Sequence, residues 1–70
     1  MDPNANLREQ REHVRDIYAI NDSADSDTGE YTEDQELALV GHASRLAELV
    51  EALDGWITGG GFLPSAWNRK

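Results

Sequence analysis

The strongest constraint in this chain is a stripe of apolar residues between positions 39 and 57. Leu39, Ala43, Leu46, Val50, Leu53 and Ile57 are spaced four, three, four, three, four, and His42, Leu49 and Trp56 widen the stripe on one side. At about 100° per residue the arc from Trp56 round to Ala43 spans roughly 140°. This predicts an amphipathic helix over about residues 33–58. One neighbouring helix rarely covers so wide an arc, so the stripe also predicts further cover. Gly41 and Gly55 fall off the stripe and cost roughly 1 kcal/mol each against alanine without ending the helix. "TGGG" ends it, with Gly59 or Gly60 expected in the left-handed position beyond the last turn.

The start of this helix is equally readable. Thr32 stands three residues ahead of Gln35, a capping box, and Glu33, Asp34 and Glu36 fall in the first turn, where free amide protons favour negative charge. A first helix is expected over about residues 3–20, opened by Asp2 as N-cap and Pro3 at the first helical position. Its apolar face, Leu7, Val14, Ile17 and Tyr18, is diluted by Gln10 and Asn21. Residues 21–32 have neither period nor apolar run and read as an acidic linker.

The expected fold is therefore all-α: one domain over residues 1–70, a two-helix antiparallel hairpin with tail 59–70 packed back on it. At about 1.5 Å per residue the helices run about 27 Å and about 38 Å, so the last turns of the second overhang the first. Phe62, Leu63 and Trp67, broken by Pro64, are the nearest cover for Trp56, Leu53 and Ile57 or for the start of helix one. Two tryptophans in a minimal core also add buried area, although tryptophan is equally a residue of binding hot spots.

At 7.8 kDa a single core leaves little surplus stability, so help from a partner is expected. With no cysteine, disulfides, thiolate zinc sites and thiol catalysis are excluded. No apolar run approaches the ~20 residues that cross a bilayer, and "MDPNANLREQRE" lacks the basic start and apolar stretch of a secretion signal. A soluble cytoplasmic protein without membrane contact is expected. Fourteen acidic residues face six basic ones, which disfavours direct nucleic-acid binding. Seven of the carboxylates (Asp22, Asp25, Asp27, Glu30, Glu33, Asp34, Glu36) lie in residues 22–36, which hold no base.

That cluster raises the one metal question. Asp25, Asp27, Glu33 and Glu36 occupy positions one, three, nine and twelve of a calcium loop, where a flexible segment between helices supplies oxygens to a hard ion. Against it, Gly29 stands where a ligand is expected, Glu30 where glycine makes the sharp turn, and Thr32 where an apolar residue is usual. The solvated linker is the stronger reading, and no metal or other cofactor is expected. His13 and His42 reach comparable heights if residue 20 aligns with about residue 35, with Glu12 or Glu9 nearby. Two histidines fall short of the three protein ligands a zinc site usually takes, and both are expected half exposed at the helix interface. Two helices and a tail offer no enclosed pocket for acid–base chemistry, and Gly59 to Gly61 follow a helix instead of leading into one, unlike a phosphate loop. No catalytic residue is assigned.

Residues 46–67, "LAELVEALDGWITGGGFLPSAW", together with the opening "MDPNANLREQREHV", resemble short, acidic, uncharacterised proteins encoded by bacteriophages of actinobacteria. The likeness covers both ends of the chain and skips the linker. It implies a phage setting, the cytoplasm of the infected host and a small helical fold; it carries over no catalytic residue. The leading expectation is a non-catalytic protein–protein interaction module that binds a host or phage protein through Leu39, Ala43, Leu46, Leu49, Val50, Leu53, Trp56, Ile57, Phe62, Leu63 and Trp67. A homodimer forming a four-helix bundle, with the second helix at its centre, is expected from the same surface. Two alternatives remain open: an acidic nucleic-acid mimic that blocks a DNA-binding protein, and an antitoxin-like regulator that folds on binding.

Overall fold

The computed structural model describes residues 1–24 and 28–68. Two helices, α1 (Pro3–Asp22) and α2 (Glu33–Thr58), pack against each other as an antiparallel hairpin, followed by a single 3-10 turn at Ser65–Trp67. Each helix start is fixed by its own sequence. The Asp2 carboxylate accepts from the backbone N–H groups of Asn4 and Ala5 at 2.9 and 3.2 Å, ahead of Pro3. Thr32 Oγ1 accepts from Gln35 N at 3.1 Å, while Gln35 Oε1 accepts from Thr32 N at 2.8 Å, which completes the capping box.

α1 runs two residues beyond its expected end. Ser23 N still donates to Ala19 O, and the Tyr31 hydroxyl bonds Asn21 Oδ1 from across the linker. Gln35 adds a second tie, donating from Nε2 to Ser23 O and Oγ. Polar residues that read as a chain break are thus recruited by partners ten or more positions away. The other end of α2 closes in a Schellman arrangement: Gly61 N donates to Trp56 O at 2.8 Å and Gly60 N to Ile57 O at 3.0 Å, with Gly60 at φ +96°. Gly61 lies flat under the Trp56 ring, where any side chain would collide with the indole. The three glycines therefore act as a stop and a reversal.

Beyond that reversal the chain meets the start of α1. Ser65 N donates to Asn4 Oδ1 at 2.7 Å, Trp56 Nε1 donates to Phe62 O at 3.0 Å, and the Phe62 ring stands edge-on to Trp56. The buried residue here is Pro64; the Phe62, Leu63 and Trp67 side chains, expected to supply the cover, are all exposed. Proline suits a buried position here because it has no N–H to satisfy.

The hairpin is a single layer. Its extents are 47 × 24 × 15 Å, and 15 Å is little more than one helix with its side chains. Its radius of gyration, 15.1 Å, exceeds the roughly 11 Å of a compact chain of this length. Among the described residues the fully packed apolar core is Leu7, Leu49 and Leu53. A layer one helix thick has two open sides, and the sequence treats them differently. No helix among the described residues is long and apolar enough to cross a membrane.

Candidate functional site

The contacts that hold the hairpin set the register. Asn6, a buried polar residue, donates from Nδ2 to Leu49 O at 3.0 Å, and its own Oδ1 accepts from Gln10 Nε2 at 2.6 Å. A buried amide without partners costs roughly 1–3 kcal/mol, so this pair works only in one register. About two turns further on, His13 and His42 meet with their Nδ1 atoms 2.7 Å apart, at the common height expected from the sequence. His13 Nε2 lies 3.2 Å from Glu9 Oε2. The ionised carboxylate accepts only, so His13 donates from Nε2; in the tautomer with its proton there, His13 Nδ1 accepts from His42 Nδ1.

These groups gather on one side of the layer. Glu9 accepts from Arg45 Nε at 2.6 Å and Nη2 at 3.1 Å, a bidentate pair, while Arg45 Nη1 reaches Glu48 at 3.1 Å. Arg45 first, then His13, holds the Glu9 carboxyl down at about 2, and the Arg45 guanidinium is raised in turn, first by Glu9 and then by Glu48. Asp16 stands 3.9 Å from His42 Nε2. Sequence reasoning missed the Glu9–Arg45 pair and the Asn6 anchor. The available signal was the register itself, since aligning residue 13 with 42 also brings 9 to 45 and 6 to 49.

The other side is apolar. Projected around each axis, Val14 and Tyr18 of α1 point the same way as Leu39, Ala43, Val50 and Ile57 of α2. Val50 is 52% exposed, Tyr18 65% and Val14 39%. Gln10, Val50, Leu53, Asp54, Ile57 and Trp67 share an open cleft of about 230 Å³ on this side. Trp67 of the tail thereby extends the apolar face toward the end of the hairpin.

The eleven candidate interaction residues divide accordingly. Leu49 and Leu53 are buried against α1 and are core. Leu39, Leu46, Trp56 and Ile57 are half-buried at the seam, and Ala43, Val50, Phe62, Leu63 and Trp67 are exposed. The stripe of α2 does not face one partner symmetrically, because α1 sits on its His42–Leu49–Trp56 flank and leaves the Ala43–Val50 flank open. Val14 and Tyr18 join this open surface, and exposed Val40 and Leu37 lie elsewhere around α2. None of these four was among the expected interaction residues, for α1 was read as a narrower, interrupted stripe.

Of the calcium-loop positions, Asp25 and Asp27 lie outside the described residues, while Glu33 and Glu36 sit exposed in the first turn of α2 and Gly29 takes φ +69°. No group of three or more possible metal ligands occurs among the described residues. His13 and His42 are placed together by the fold, but their Nδ1 atoms bond each other. No family model, no curated protein and no solved structure matches this chain, so its reading rests on its own residues.

Proposed function

We propose that this protein is a non-catalytic protein–protein interaction module that works through the apolar side of its hairpin. One observation carries the reading: a layer one helix thick whose polar side is stitched by Asn6, His13, His42, Glu9 and Arg45 leaves Val14, Tyr18, Ala43 and Val50 open on the other. The chain exposes 5246 Å², against about 4400 Å² for a compact monomer of its mass. The surplus is on the order of the ~800 Å² that one partner contributes to a standard interface.

A non-catalytic role fits two clefts of the described residues, about 230 and 250 Å³, which are open to solvent and exclude no water. The same geometry argues against a nucleic-acid mimic, which needs an unbroken acidic surface: Arg8, Arg11 and Arg15 form a basic stripe on α1, and Arg45 neutralises Glu9. The partner in this proposal is a second copy or a host or phage protein. If the phage setting implied by the resemblance of the two chain ends holds, an actinobacterial lysate is the place to look.

Matched capture tests the reading with three baits: the natural chain, Val14→Glu/Val50→Glu on the apolar side, and Glu9→Gln on the polar side. A protein, or the chain itself, retained by the first and third baits and lost by the second supports the proposal. Equal retention by all three baits contradicts it.

A further inference from the structure

Arg8, Arg11 and Arg15 recur at three and four residues, which places them in one row along the outer edge of α1, beside the apolar side. Together with Asn4, Leu7, Glu12 and Ala66 they border a second cleft, where Glu12 stands at the far edge of the row and forms no ion pair with the arginines among the described residues. None of the three has an ion-pair partner among the described residues, although the chain carries a net charge of −8. The outer edge of α2 holds the opposite row: Glu36, Glu51 and Asp54, interleaved with Val40 and Ala47, and likewise without an ion pair among the described residues. Within one chain these two rows lie on opposite rims of the layer and cannot meet.

Resting on the interaction reading above, we propose that the apolar side is covered by a second copy of this chain, with α1 of each copy lying over α2 of the other. Two-fold symmetry allows two ways of stacking the apolar sides of two hairpins. If the axis crosses the helices, α1 lies over α1 and α2 over α2. Each arginine row then faces its own copy, and so does each carboxylate row. If the axis runs along the helices, each arginine row faces a carboxylate row, at both rims of the four-helix bundle.

Register supports the second arrangement. The contacts of Asn6 with Leu49 and of His13 with His42 bring residues whose numbers sum to 55 to one height. An axis along the helices preserves heights, so Arg8 comes level with Ala47 of the second copy and Arg15 with Val40. Glu51 and Glu36 then lie one turn away, about 6 Å along the axis and within reach of an arginine side chain. Val14 and Tyr18 meet the open Leu39–Ala43 stretch, where alanine permits close approach of the helices. The arrangement brings the starts of both α2 helices, with Glu33 and Asp34, to one end of the bundle, where salt weakens their repulsion, whereas the rim rows meet side chain to side chain.

Sedimentation equilibrium and directed cross-linking test this together. The natural chain is expected at near twice 7.8 kDa, and Arg8→Glu/Arg15→Glu is expected to raise the dimer dissociation constant about tenfold or more. Adding Glu36→Arg/Glu51→Arg should restore the affinity while circular dichroism shows the same helix content throughout. The chain has no cysteine, so Arg11→Cys and Ala47→Cys can be made singly and mixed. A mixed disulfide between the two variants is expected, and Arg11→Cys alone should cross-link poorly. A mass that stays at 7.8 kDa up to about 0.5 mM overturns the second copy as occupant and leaves the capture experiment to judge the interaction reading. A dimer that ignores the charge reversal, or that cross-links Arg11→Cys to itself faster than to Ala47→Cys, overturns the arrangement.

Discussion

The two sides of this hairpin are built from the same two helices and differ in what they leave undone. On the polar side and along the seam the polar groups find partners inside the chain: Glu9 with Arg45, His13 with His42, and at the seam Gln10 with Asn6 and Asn6 with the Leu49 carbonyl. On the apolar side Val14, Tyr18, Ala43 and Val50 have none. Hydrogen bonds are directional and can be closed between two helices, whereas an apolar arc of roughly 140° needs more neighbours than a single helix supplies. The polar contacts therefore fix register, and the apolar side is left open to solvent.

The largest test of this division lies in the small core on which both sides depend. Leu53 is 2% exposed, and Leu53→Ala should cost about 2–5 kcal/mol, read as a fall in the thermal midpoint at low protein concentration. With so few buried side chains to absorb the loss, this single change is expected to unfold much of the population at ordinary temperature. A loss below about 1 kcal/mol would mean that the hairpin is held elsewhere.

Next comes the buried anchor. Asn6→Ala removes the donor to the Leu49 carbonyl and strands Gln10, an expected loss of about 1–3 kcal/mol by urea denaturation. If Asn6→Leu proves as stable as the natural chain, with the His13–His42 contact still present by NMR, the amide is dispensable for register.

How much of this was legible in the sequence follows from what each residue had to signal. α2 was readable from end to end, because its period, its Thr32–Gln35 cap and its glycine stop agree. The height match of His13 and His42 followed from the length of the linker alone. Asn6 and Gln10 were not legible: a polar residue on an apolar stripe looks like an interruption until the opposing carbonyl is known. The tail was legible only as a class. Its aromatic residues drew attention, yet the buried residue is Pro64, whose value depends on the angle at which the chain returns. The open side of α2 was hidden for a similar reason, since an arc shows how much must be covered and not which flank the neighbour takes.

A smaller effect should appear with pH. The Glu9 carboxyl is lowered from 4.5 to about 2, chiefly by Arg45 and then by His13. A carboxyl depressed on folding contributes stability that is fully present above 4.5 and is lost as pH falls through about 2. Over this window the natural chain should lose stability more steeply than Glu9→Gln, which has nothing to titrate there. More than a third of the Glu9 side chain is open to water, so screening keeps the difference modest. Identical pH profiles for the two proteins would show that the Glu9–Arg45 pair contributes nothing measurable to the polar side.

The most direct measurement sets the two sides against each other in matched variants, Val14→Glu/Val50→Glu and Glu9→Gln/Arg45→Gln. Each is melted at low concentration and sedimented at high concentration. The division of labour predicts that the first keeps its helices and its dilute melting curve and sediments as a monomer of 7.8 kDa, while the second melts earlier when dilute and still associates at high concentration. If the apolar-side variant associates as well as the natural chain, or if both variants lose stability and association together, the two sides do not divide the work and the account is wrong.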